Sequence, residues 1–133
     1  MKLRVVSSKD EIESLGKDEE IVHFAFRPSN EDVFKLVKAC PSIKAIHIPG
    51  SYKKTISKSI QMFLEMQSIA LLEGDVWGHR KDINEYSEID KIIFEKIDEF
   101  KNDGLDDKEI VRRITRESKL DTDLINFILS TRK

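Results

Sequence analysis

Two histidines occupy matching places in similar segments. His23 lies in Ile21-Val22-His23-Phe24-Ala25-Phe26 and His47 in Ala45-Ile46-His47-Ile48, 24 residues further on. If these segments are neighbouring strands in register, both imidazoles project from one side at one level. Imidazoles so placed can shuttle a proton or ligate a metal. Asp75 and His79 follow the next apolar run and could join them. No His-x-x-His or carboxylate spacing supports a metal centre, and none is expected. The competing reading is a pair of histidines satisfied at a sheet face.

A second candidate is the loop Pro49-Gly50-Ser51-Tyr52-Lys53-Lys54-Thr55. It would leave the C-terminal end of a strand and open a helix. Ligands of α/β sheets bind at that edge, and free N–H groups at a helix start attract anions. A small anionic ligand would draw on Arg27, Gly50, Ser51, Lys53, Asp75, His79 and Arg80. The spacing is neither a Walker A loop nor a dinucleotide glycine fingerprint, and no cofactor is implied. The plainer alternative is an ordinary turn with Ser51 as helix cap and solvated lysines. Glu73, Asp75, Trp77, His79 and Arg80 form a dense patch after the last run, which reads equally as a hinge anchored by Trp77. No Ser-His-Asp pattern is present, so no catalytic residue is assigned. Cys40 falls on an apolar stripe beside Pro41 and reads as a buried structural thiol.

The third candidate lies in the last quarter of the chain. From Ile114 to Ile125 the spacing matches a helix-turn-helix: Ile114 and Thr115 on the inner helix, Lys119 in the turn, Leu120 plugging it, Asp121 capping the second helix. Arg112, Arg113, Arg116 and Lys119 would be the residues that meet nucleic acid. Asp121 and Asp123 would meet phosphates unfavourably. Residues 105–133 hold seven Lys/Arg and six Asp/Glu, a net charge of only +1. The alternative is a helical hairpin that packs on the preceding layer or on a second subunit.

These residues need elements to position them. Four short apolar runs, Leu3–Val6, Ile21–Phe26, Ala45–Ile48 and Ile69–Leu72, alternate with helical patterns. That alternation predicts a four-stranded parallel sheet joined by right-handed crossovers. The runs lack polar alternation, as expected of strands covered by helices. Ser8 with Glu11 and Ser29 before Val33 read as helix starts. A longer helix is expected from Tyr52 to Gln67. The even spacing leaves two strand orders open, a sequential 1-2-3-4 sheet or a doubly wound 2-1-3-4 sheet. After Trp77 the pattern turns all-helical. Tyr86, Ile89, Ile93, Ile97 and Phe100 predict one helix from Asn84 to Lys101, and two more helices follow. The expected division is a parallel βα layer over residues 1–80 and a three-helix segment over 81–133.

Composition sets outer limits. The chain has 133 residues, 39% hydrophobic and 36% charged, with a formal net charge of −2. The apolar share is too large for disorder, and the charge argues against coating nucleic acid or an anionic membrane in bulk. One cysteine permits no internal disulfide and favours a reducing, cytoplasmic setting. No apolar stretch of signal-peptide length opens the chain, and no run approaches the roughly 18 apolar residues of a membrane span.

The segments His23-Phe24-Ala25-Phe26-Arg27-Pro28, Ile46-His47-Ile48-Pro49-Gly50-Ser51-Tyr52 and Leu71-Leu72-Glu73-Gly74-Asp75-Val76-Trp77-Gly78-His79-Arg80 together resemble an uncharacterised archaeal family known mainly from methanogens, a domain of unknown function. The resemblance implies an archaeal, cytoplasmic protein. It supplies no activity, ligand or catalytic residue. Two function classes follow from the residues: a non-catalytic regulatory or interaction module, acting through the C-terminal helices on nucleic acid and as a homo-oligomer, or a small-ligand-binding protein or enzyme using the sheet edge.

Overall fold

A computed structural model describes residues 1–76, 86–118 and 120–131. Strands β1 (Lys2–Val6), β2 (Ile21–Phe24), β3 (Ala45–Ile48) and β4 (Ala70–Glu73) pair in parallel, and a short strand β5 (Tyr86–Glu88) adds antiparallel to β1. The order is β4-β3-β2-β1-β5, so of the two open orders the sequential one is correct.

That order decides what covers each face. Sequential parallel strands put every crossover on the same side. A 3₁₀ helix (Lys9–Ser14) and helices α1 (Asn30–Ala39), α2 (Gly50–Lys53) and α3 (Lys58–Met66) supply this cover. Their Ile12, Leu36, Ile60 and Leu64 pack with Val6, Val22, Phe24, Ile46 and Ile48 of the sheet. The opposite face would be left bare. Helices α4 (Lys91–Asn102), α5 (Asp107–Glu117) and α6 (Thr122–Thr131) close it, with Ile97, Ile110, Ile114, Ile125 and Ile128 joining Leu3, Ile21, Ala45 and Leu72 in a second core.

Local chemistry explains most boundaries. Ser8 and Glu11 form a capping box, as do Ser29 and Asp32. Asp106 caps α5 by accepting from the Glu109 N–H at 2.9 Å. Gly104, at φ +82°, takes the left-handed backbone just past α4. Cys40 is fully buried, and burial, aided by the charge of Glu19, pushes its thiol up to about 11.

Two helix expectations are corrected. The Tyr52–Gln67 helix is two pieces, because the Ser57 hydroxyl accepts from Ile60 N–H at 3.2 Å and starts a new helix. The Asn84–Lys101 helix begins only at Lys91, where Asp90 caps it. Tyr86, expected on its stripe, belongs instead to β5, pairing with Arg4 and sending its hydroxyl to Glu19 at 2.7 Å.

Candidate functional site

β2 and β3 pair so that His23 lies directly opposite His47. Both are third in strands of four residues, close to the C-terminal edge. Both share the face of Ile21 and Ala45, which the C-terminal helices cover. The rings are 2% and 0% exposed, and their Nδ1 atoms are 2.8 Å apart. Two more groups bracket the pair. His47 Nε2 is 3.1 Å from Asp121 Oδ2, and His23 Nε2 is 3.8 Å from Asp75 Oδ1.

Hydrogen-bond chemistry orients this chain. A carboxylate only accepts, so His47 Nε2 donates to Asp121. In the neutral pair His47 Nδ1 must then accept, and His23 Nδ1 donates to it. The arrangement is a one-way wire from His23 through His47 to Asp121. Among the described residues no group of three or more His, Cys, Asp or Glu side chains is arranged to hold a metal ion.

The wire ends at the start of α6. Asp121 stands just before this helix and its carbonyl accepts the Ile125 N–H. Its carboxylate, expected as a helix cap, reaches the sheet: besides His47 it accepts the Asp75 N–H at 3.2 Å. Asp123, in the first turn, accepts the Glu73 N–H at 2.8 Å. Gly74 makes the close approach possible. A β-carbon there would collide with the Asp121 carboxylate and lie 2.6 Å from His47 Nε2. Beside these contacts runs a cleft of about 370 Å³, lined by Pro49, Gly50, Glu73, Gly74, Asp75, Asp121, Thr122 and Asp123.

The other sequence candidates scatter around this edge. Gly50 and Asp75 share the cleft. The Glu73 carboxyl sits next to Gly50, where a β-carbon would be 3.1 Å from its Cδ. Ser51 is exposed and Lys53 half-buried on α2. Arg27 stacks on Tyr52, its guanidinium carbon 5.3 Å from the ring centre, and lines a separate hollow with Phe26, Ser29 and Asp32. His79, Arg80 and Lys119 lie outside the described residues. Reasoning from sequence grouped Glu73 with Asp75 but did not join Gly74, Asp121 and Asp123 to them in one site. Only a strand-end glycine and two acids near a predicted helix start hinted at them.

On α5, Arg112, Arg113 and Arg116 are all exposed. Glu109 takes Arg112 on both oxygens, at 3.1 and 2.6 Å, and Arg113 at 3.0 Å. These hydrogen bonds, Arg112 first, lower the Glu109 carboxyl to about 2. Arg113 also lies over Phe100, 5.6 Å from its ring centre. Lys96 of α4 reaches Glu117 at 2.8 Å, and this bond lowers the Glu117 carboxyl. α6 exposes Thr122, Asn126 and Ser130 and carries no Lys or Arg.

Two family models match the chain. Residues 2–85 match the N-terminal domain of a family of unknown function, DUF1699, and residues 93–130 match the C-terminal helix-turn-helix domain of the same family. The chain belongs to this family. The second match covers nearly all of α4, the whole of α5 and all of α6 but its last residue. No curated protein and no solved structure matches the chain. Among the described residues no helix is long and apolar enough to cross a membrane.

Proposed function

We propose that this member of the DUF1699 family is a non-catalytic regulatory module whose helix-turn-helix binds nucleic acid once it is released from the α/β layer. One observation carries the reading. The N-terminal end of α6, the end that meets base edges in this motif, is held against the sheet by Asp121 and Asp123. The remaining surface suits a duplex. Exposed Thr122, Asn126 and Ser130 offer neutral hydrogen-bonding groups of the kind that read bases. Arg112, Arg113 and Arg116 lie on the preceding helix, the one that crosses the phosphate backbone. Glu109 neutralises two of them at rest, and phosphates would compete for the same guanidinium groups. Cytoplasmic location, archaeal origin and self-association belong to the same reading.

Binding to duplex DNA, followed by fluorescence anisotropy over a salt series, tests this. Asp121→Asn with Asp123→Asn should tighten binding about tenfold or more, because a released α6 can enter the groove without two carboxylates at its tip. Arg112→Glu, Arg113→Glu and Arg116→Glu together should abolish binding. If the double variant binds no better than the natural chain, the reading fails.

A second reading is kept for the cleft of about 370 Å³ beside Gly50 and Gly74. Small ligands occupy this edge in parallel sheets. Its lining of Glu73, Asp75, Asp121 and Asp123 suits a ligand rich in hydrogen-bond donors better than the anion expected from the loop sequence. A thermal-shift screen should then show stabilisation that Gly50→Leu removes.

A further inference from the structure

The imidazole pair limits how many protons the docked tail can hold. With Nδ1 atoms 2.8 Å apart, one hydrogen lies between the rings. A first extra proton has a place. On His23 Nε2 it makes an imidazolium that still donates through Nδ1 to His47, and it faces the Asp75 carboxylate 3.8 Å away. A second has none. It would sit on His47 Nδ1 and point at the Nδ1–H of His23, one N–H against another, between two cations buried to 2% and 0% exposure. The rings would have to part. His47 is tied to Asp121 and packed against Gly74, so its displacement pushes on the start of α6.

We infer that the chain Asp75–His23–His47–Asp121 is an acid-sensitive latch on the helix-turn-helix, closed with the pair neutral or singly charged and opened when both imidazoles are charged. Among the described residues, the charged groups facing the pair are carboxylates. Asp75 comes from beyond β4 and Asp121 from before α6, and Glu88 of β5 lines the same small cavity as His47 and Asp75. Glu73 and Asp123 lie one step further along the edge. β1 offers Leu3 and Val5, β4 offers Leu72 and α6 offers Leu124, all apolar. A control must keep these carboxylates and remove only the crowded nitrogen. His23→Asn does this. Its amide can donate to a neutral His47 or accept from a charged one, so no N–H confronts another.

The latch rests on the proposed function only for its consequence, that a released α6 meets nucleic acid. Its test reads docking instead. The amide signals of Glu73 and Asp75, whose N–H groups donate to Asp123 and Asp121, are followed by NMR in the full chain from about pH 8 to about pH 5, where imidazoles change charge. The natural chain should lose its docked amide shifts on acidification, and His23→Asn should keep them. Equal loss in both chains, or none in the natural chain, overturns the latch. Imidazole ¹⁵N shifts of the natural chain probe the same point without a variant. Undocking must coincide with double protonation of the second ring. Docked amide shifts that persist with both rings cationic refute the inference. DNA binding plays no part in this experiment, so the latch and the nucleic-acid reading can fail separately.

Discussion

On one face of the sheet Val6, Val22, Phe24, Ile46 and Ile48 pack against the aliphatic side chains of α1 and α3. On the other, Leu3, Ile21, Ala45 and Leu72 pack against α4, α5 and α6, and the row ends in two buried imidazoles. Both faces exclude water, but they specify different things. Hydrocarbon contact is non-directional and fixes that two layers stay together. A buried imidazole bonded to a carboxylate fixes where they sit, because a small slide leaves the His47 N–H, fully buried, without its acceptor. The first face is therefore a foundation and the second a joint.

Deleting a large side chain from the foundation should have the largest effect. Phe24→Ala is expected to cost about 3–5 kcal/mol in chemical denaturation. Both halves should lose signal together, since the sheet supports both. If only the crossover helices melt, the two faces are less dependent than described. Gly74→Ala attacks the joint by overpacking and should cost about 1–3 kcal/mol. Here amide exchange should quicken in α6 while α1 and α3 keep their protection; uniform quickening would contradict a separable joint. Asp123→Ala removes one acceptor at a solvent-accessible amide and should cost roughly 0.5–1.5 kcal/mol, again read as exchange at Glu73.

The smallest effect is expected far from both faces, at Glu109. Its carboxyl is held near 2, below the ordinary 4.5, by Arg112 and Arg113. A lowered folded-state value means stability that is complete above about pH 4.5 and fades as pH falls toward about 2. Glu109→Gln should melt slightly below the natural chain at neutral pH, and the gap should close near pH 2. A gap that stays constant would assign the pair no titratable role. The carboxyl is partly exposed on the helix surface, so solvent screens much of the interaction.

The foundation was legible in the sequence to a greater degree than the joint. β-branched runs between capping residues mark the parallel strands, and Ser8, Ser29 and Gly104 mark helix ends by their own backbone chemistry. Strand order was not legible, because equal crossover lengths fit both orders. β5 was hidden because Tyr86 and Ile89 extend the period of Ile93 and Ile97. Ile89 is indeed buried, but on the chain leading into α4. Likewise Ile56 and Ile60 keep helical spacing across the break at Ser57. At the site, the equal placement of His23 and His47 in two strands was readable locally. Their partner Asp121 was not, since it lies 74 residues from His47. A helix-start aspartate reads as a cap until the fold shows what its carboxylate touches.

A double-mutant cycle tests the joint most directly. His47→Gln, Asp121→Asn and the combination are compared by denaturant unfolding, with amide exchange in α6 as the local readout. If the His47–Asp121 bond ties the helix-turn-helix to the sheet, the two changes should interact by roughly 0.5–3 kcal/mol. Effects that add to within about 0.3–0.5 kcal/mol, with α6 equally protected throughout, would contradict the account.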